Sequence, residues 1–375
     1  MSYKRFDRDR LLVRKLSERK NQLSIKEIQV PASARPAALP AEAAGLINLT
    51  ARKIIAAREK GRSVMMAFGA HAIKNGLGTV LIRLIKEGWI THLATNGAGI
   101  IHDWEIAYQG LTGESVRENV TTGQFGIWEE TGKYINLAII RGAAEKLGYG
   151  ESVGKMISAE GLEIPGREDM LTVISENIEK DPEHAAATLD LYNVVKKYNI
   201  APGFLKIPHP FREYSVQCSA YEQNVPFTGH PMIGHDIIYN HPFNCGAAIG
   251  RTALTDFLSY TWSVCNLNDG VYLSVGSAVM SPMIFEKALA MCQNLEIQSG
   301  RHIDNHFMLI VDLAANEWDW NRKGEPPMDN PAYYLRYCKT FNRMGGEMHY
   351  LQADNRDFLT ELYHVLNNTP SSVLT

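Results

Sequence analysis

The chain contains no CxxC pair, and its five cysteines (Cys218, Cys245, Cys265, Cys292 and Cys338) are widely and irregularly spaced. That pattern excludes a disulfide framework and a structural zinc site as organising devices. The cysteines are expected to be small buried apolar residues in a reducing compartment. A dominant charge is also lacking: 38 basic and 41 acidic residues leave a formal net charge of −3. Neither nucleic acid nor an anionic membrane is therefore an expected partner. No apolar run reaches the roughly 18–20 residues that a membrane-spanning helix needs. The opening MSYKRFDRDRLLVRKLSERKNQ is charged where a secretory leader would be apolar, and a cytoplasmic location is the expectation.

What is present is the material of a folded α/β protein: 375 residues, 45% hydrophobic and 21% charged. Residues 1–45 read as a charged arm, exposed or packing on a partner, followed by a Pro/Ala-rich connector from Val30 to Gly45. Residues 46–375 read as one large α/β domain. Short apolar runs alternate with helical patterns: SVMMAFGA, ITHLATNGAG, VPFTGH, DGVYLSVG, HFMLIVDLA and GEMHYLQAD are strand candidates. The alternation predicts βαβ units and a Rossmann-like parallel sheet flanked by helices. Residues 112–202 read as a mostly helical, polar insertion.

Three glycine-bearing turns follow apolar strands: FGAH with Gly69, TNGAG with Asn96, Gly97, Ala98 and Gly99, and SVGSAV with Gly276 and Ser277. In an open parallel sheet, ligands sit beyond the carboxyl ends of the strands, where such turns lie. Glycine lets backbone approach a phosphate, and helix starts favour anions. His102-Asp103 is expected at a helix start, where the aspartate serves the dipole or catalysis equally well. GHPMIGHDIIYNHP gathers His230, His235, Asp236 and His241, but without a metalloprotease-like spacing, and no metal site is assigned. His302 and His306 read as loop histidines. Lys339 lies among Tyr333, Tyr334, Tyr337 and Phe341. Aromatic neighbours can strip water from an ammonium and favour the nucleophilic amine, although a surface lysine with its stem on the aromatics fits the same spacing.

The order of these pieces resembles deoxyhypusine synthase. GLGTVLIRLIKEGWITHLATNGAGIIHDWEIA is similar to the family block that leads to a T-T-A-G-G-V-E-E-D turn. PMIGHDIIYN resembles its D-G-S-L-G-D-M-I-F-F segment, and VYLSVGSAVMSP its I-I-L-G-G-G-V-V-K-H strand and loop. LRYCKTFNRMGGEMHYLQADN resembles the closing block; Lys339 stands eleven residues before Tyr350, the family's own lysine-to-tyrosine spacing. The resemblance implies an NAD-binding fold and a homotetramer with cofactor sites near subunit interfaces. It implies oxidation of an amine by hydride transfer to NAD, an imine on Lys339, and passage of the carried group to a protein acceptor. Gly97, Ala98, Gly99, Gly276, Ser277, Asp312 and Asp354 would line NAD.

The substrate positions differ. The family's paired glutamates fall on Ile101 and His102, with Asp103 kept; its lysine-histidine pair falls near Met280 and Ser281; Tyr337 replaces a tryptophan. A dicationic polyamine needs carboxylates, so a small amine or amino-acid-like substrate other than spermidine is expected. Lys339 would be nucleophile or base, with His102/Asp103 and His235/Asp236 moving protons. Two other readings stay open: a His/Asp hydrolase or lyase using a metal, and a non-catalytic NAD-binding protein.

Overall fold

A computed structural model describes residues 3–35 and 38–368. Six strands, numbered β1–β6 along the chain, form one parallel sheet: Val64–Phe68, His92–Asn96, Phe227–His230, Val271–Val275, Phe307–Asp312 and Glu347–Gln352. Their spatial order is β6-β5-β4-β1-β2-β3, every neighbouring pair parallel. The chain steps outward from β1 to β3, returns beside β1, and steps the other way from β4 to β6. This is the doubly wound order of a Rossmann-like α/β fold, with its reversal between β1 and β4.

Alternation within each strand explains the two-sided burial. Val64, Met66 and Phe68 enter one apolar cluster, and Met65 and Ala67 enter a second on the opposite face. On the first face lie helices Ala41–Glu59, Gly78–Lys86, Gly97–Gln109 and Asn355–Asn367, through residues such as Ile54, Leu81, Ile100 and Phe358. The second face carries Gly246–Cys265, Met280–Gln298 and Arg336–Arg343, through Tyr260, Phe285 and Phe341. Among the described residues no helix is long and apolar enough to cross a membrane.

The N-terminal segment, expected to be exposed or to pack on a partner, is largely exposed up to Lys15 and packs on the body of its own chain from Leu16 onward. Leu16, Ile25 and Val30 are buried in the first cluster, and Leu23–Ser24 pairs antiparallel with Leu111–Thr112. Its anchor is electrostatic. The Arg19 guanidinium donates to both Glu105 oxygens at 2.7 and 2.8 Å, and Thr112 and Thr131 hydroxyls donate to the same carboxylate. Burial alone would raise the Glu105 carboxyl; the Arg19 charge and these hydrogen bonds outweigh it and hold it below its ordinary value. The connector is also shorter than expected: helix begins at Ala41, directly after Pro40, because AEAA are strong helix formers. Pro36 and Ala37 of that connector lie outside the described residues.

The segment between β2 and β3 is not wholly helical. Besides Glu129–Ala144, Tyr149–Ala159, Arg167–Asn177 and Pro182–Lys197, it holds an antiparallel pair, Gly161–Ile164 with Gly203–Lys206. Ile135, Tyr149, Val153 and Leu191 share the core with Leu93 and Ile100 of the sheet layer.

Removing one partner of a buried, hydrogen-bonded ion pair strands the other charge. Arg19→Met is therefore expected to lower the unfolding free energy by about 3–5 kcal/mol, read from denaturant midpoints, and a loss below 1 kcal/mol would refute the anchoring role.

Candidate functional site

The residues expected to line a cofactor divide into two groups at the carboxyl edge of the sheet. The first group surrounds the β1/β4 reversal. Gly69 N–H donates to Val275 O at 3.1 Å, Gly276 N–H to Val311 O at 2.9 Å, and Ala353 N–H to Asp312 O at 3.1 Å. These bonds lace the ends of β1, β4, β5 and β6 into one row. A Cβ at Gly69 would stand 2.2 Å from the Gly276 carbonyl oxygen. Gly276 itself has φ +57°, and its Cβ would stand 2.6 Å from Asn355 Nδ2. Only glycine fits this approach. Asp312 accepts from Ala314 N–H at 3.1 Å, and Asp354 caps helix Asn355–Asn367 by accepting from Arg356 N–H at 2.7 Å.

Helix Met280–Gln298 starts from this row. Its first turn holds no acidic residue, and no side chain caps it at Val279. Ser277 Oγ accepts from Ser281 N–H at 3.2 Å, while the N–H groups of Ala278, Val279 and Met280 find no acceptor among the described residues. Ala278 and Val279 are exposed. Open N–H groups and the positive end of a 19-residue helix form an anion-accepting head.

The second group is the TNGAG turn, and here the geometry corrects the expectation. No loop separates β2 from the helix: Asn96 ends the strand and caps Gly97–Gln109 by accepting from Gly99 N–H at 2.9 Å. Gly97, Ala98 and Gly99 are the helix's first turn. The space above Gly97 is filled by Asp236, whose Oδ2 would lie 2.2 Å from a Cβ there; Gly99 packs on Thr95. A dinucleotide phosphate above Gly97 would meet a resident carboxylate. Asp236 Oδ2 is buried without a hydrogen-bond partner, as are the hydroxyls of Tyr149 and Tyr239. Burial pushes the Asp236 carboxyl up to about 6, against the opposing pull of His235. Burial and then the Asp236 charge raise the Tyr149 hydroxyl well above its ordinary value.

His102 and Asp103 do not open the helix; they sit in its second turn, because the helix starts at Gly97. Asp103 accepts from Ser215 Oγ at 2.6 Å and Val216 N–H at 2.8 Å, capping Val216–Glu222. Burial nevertheless raises it to about 6. Thr112 spends its proton on Glu105, so His102 Nδ1 must carry the hydrogen of the 2.8 Å contact with Thr112. Burial lowers His102 to about 4, and the ring is neutral. This pair is built into the framework.

The histidine cluster disperses as well. His235 is exposed on the turn before Asp236. His230 turns to the second face, where Thr228 Oγ1 bridges it at 2.9 Å to His92 at 3.0 Å. His306 is buried rather than on an open loop. Among the described residues no three His, Cys, Asp or Glu side chains are grouped to hold a metal.

Lys339 lies on Arg336–Arg343 with its side chain 13% exposed. Its Nζ is 3.4 Å from the Tyr333 ring centroid and 3.5 Å from Glu325 Oε1. Both partners hold an ammonium. Asp236 follows β3 and Lys339 precedes β6, the two sheet edges. The side chains sit elsewhere: Asp236 lies over Gly97 at the end of β2, whereas the Lys339 helix packs on Met280–Gln298, and among the described residues no contact joins the two.

Two buried carboxylates went unread in the sequence. Asp256 accepts from Gly150 and Gly229 N–H groups at 2.9 and 2.6 Å, and burial raises it to about 8. Its i, i+4 spacing from buried Thr252 and Tyr260 was a usable signal. Glu105 gave none, since Arg19 is 86 residues away.

No family model matches this chain, and no curated protein matches it. Among solved structures it is similar to unliganded AgrE, at 14% identity over 88% of this chain and 34% of that one, TM-score 0.43. A complex of AgrE with ornithine and NAD+ gives 15% identity over 89% and 34%, TM-score 0.43. A putative LOR/SDH protein from Methanococcus maripaludis S2 gives 12% over 96% and 76%, TM-score 0.41. The chain spans about a third of the length of AgrE.

Asp236 provides a signed pH test. Its folded value lies above the ordinary 3.8, so the stability of the neutral form is complete below 3.8 and is lost as pH rises through about 6. Asp236→Asn is expected to raise the unfolding free energy at pH 7.5 by about 2 kcal/mol, a gain that fades towards pH 4. Destabilisation at pH 7.5 would show instead that the carboxylate is a needed helix cap.

Proposed function

We propose that this protein is an NAD-dependent enzyme, organised like deoxyhypusine synthase, that acts on a small amine or amino-acid-like substrate other than spermidine. The observation that carries the reading is the laced row at the strand-order reversal. Gly69, Gly276, Ser277, Asp312 and Asp354 share one edge with the open head of Met280–Gln298. This donor set fits a dinucleotide: unpaired backbone N–H groups for a pyrophosphate, glycines that let backbone come close, and carboxylates one strand apart for ribose hydroxyls. The ornithine and NAD+ bound to AgrE belong to the same chemical class.

Bound NAD would supply a hydride acceptor for the carbon bearing the substrate amine. Asp236, flanked by the Tyr149 and Tyr239 hydroxyls, would accept from a substrate ammonium or move its proton. Lys339 would attack an oxidised C=N carbon through Nζ; a C–N bond to the lysine forms, and the original nitrogen leaves as an amine. Substrate would first have to displace Lys339 from its contacts with Glu325 and Tyr333. Asp236 and Lys339 make no contact with each other, and the reading would join them through a long substrate or through closure supplied by a second copy, as in the homotetramer of the resembled family. A protein acceptor for the carried group belongs to the same reading.

Two measurements test it. NAD at about 100 times its dissociation constant should stabilise the protein by roughly 2.7 kcal/mol. Ala278→Asp, an exposed change that puts a carboxylate at the helix head, should abolish the melting shift while raising the unliganded midpoint slightly, because the carboxylate answers the same N–H groups. Absence of a shift in the unaltered protein would end the proposal. Borohydride reduction in the presence of NAD and a panel of diamines and basic amino acids should trap an adduct on Lys339 and none in Lys339→Ala. A melting shift with no adduct would point to the non-catalytic NAD-binding reading.

A further inference from the structure

Helices Gly246–Cys265 and Met280–Gln298 flank β4 on the second face and pack on one another. Each brings a cysteine to the contact. Cys292 Sγ donates to Thr261 O at 3.2 Å. In an α-helix that carbonyl is also the acceptor for the amide four residues on, here Cys265. The Cys292 sulfur therefore lies against the turn that carries Cys265, and both thiols line one cleft. An open cleft of about 460 Å³, lined by Thr261, Cys265, Met291, Cys292 and Leu295 among others, reaches this pair from solvent. Cys265 is partly exposed and Cys292 is buried. The remaining cysteines lie apart: Cys218 beside Glu222, Cys338 in the core, and Cys245 at the start of its helix. Cys338 neighbours the proposed dinucleotide row: burial, and then the Asp312 charge, raise its thiol.

We propose that Cys265 and Cys292 form a redox-active dithiol that closes to an intramolecular disulfide by exchange with a low-molecular-weight disulfide. The Cys265 thiolate attacks one sulfur of oxidised glutathione. That S–S bond breaks, one glutathione leaves as its thiolate, and Cys265 carries a mixed disulfide. The Cys292 thiolate then attacks the Cys265 sulfur, the protein disulfide forms, and the second glutathione leaves. The protein loses two electrons and two protons, which end on two glutathione thiols. Cys265 reacts first because the cleft exposes it, and the buried Cys292 resolves. Burial, and then Cys265 itself, push the Cys292 thiol far above its ordinary value, so closure should accelerate as pH rises.

The full-length protein, held in reduced and oxidised glutathione mixtures, tests this by intact-mass and peptide mapping. The expected product has lost two hydrogens, yields a crosslinked Cys265–Cys292 peptide, and melts at a higher temperature than the reduced form. Cys292→Ser should stop at a glutathione adduct on Cys265, and Cys265→Ser should take no adduct at Cys292. Phenylarsine oxide, which needs two adjacent thiols, should bind one to one and be lost in either serine variant. A protein that stays reduced, a stable adduct in the unaltered chain, or a bridge through Cys218, Cys245 or Cys338 would overturn the proposal.

Discussion

The reversal of strand order between β1 and β4 is the constraint on which the remaining architecture depends. Two strands that leave the centre in opposite directions must send their following turns past each other at one edge. Here the turns touch: Gly69 donates to Val275, and its missing side chain leaves room for the Gly276 carbonyl. A methyl group at either position would meet backbone or the Asn355 amide. That single contact fixes where β5 and β6 end, through Gly276 to Val311 and Ala353 to Asp312. It also fixes where helix Met280–Gln298 points its head.

Around that centre, burial is bought with polar groups that must be answered. Glu105 lies in the core because Arg19 and two threonines neutralise and bond it, which commits the N-terminal segment to the body. Asp103 and Asp256 are each answered by backbone N–H groups of a distant helix start. Both stay raised because hydrogen bonds recover only part of what burial removes. Asp236 is the exception. Its buried oxygen is answered by nothing, and its neighbours Tyr149 and Tyr239 are equally unanswered. Glu105, Asp103 and Asp256 are answered by the framework, whereas Asp236 Oδ2 is left with capacity to spare.

The strands were legible because each is a short apolar run closed by glycine or a polar turn, and burial on both faces makes such runs unmistakable. The row of glycine-bearing turns at the carboxyl edge was legible for the same reason, since strand ends locate it. The functions of individual polar residues were not. His102-Asp103 looked like a helix opening because the strand and helix were assumed to need a loop, whereas Asn96 closes the one and caps the other. Asp103 faces Ser215, more than a hundred residues on, and no local pattern carries that pairing. The arm misread has a similar origin. Its apolar residues Leu16, Ile25 and Val30 are isolated among charges, and one buried arginine decides where they go.

Two helix heads at the same sheet edge complete the argument, because the protein treats them differently. Gly97–Gln109 and Met280–Gln298 both start beyond a strand end, and both carry glycine at or just before the first turn. A positive helix end attracts an anion in either case. Over Gly97 the anion is the chain's own Asp236, and Asn96 takes the Gly99 N–H. At Met280 the Ser277 hydroxyl takes the Ser281 N–H, and the three preceding N–H groups have no acceptor among the described residues. If both heads were meant for phosphate, Asp236 would be a defect. If only the second is, Asp236 balances a charge that would otherwise repel a cationic substrate from the β2–β3 end. On the proposed reading the same edge would take a dinucleotide anion at one place and an ammonium at another, with the β1/β4 contact between them as the fixed point.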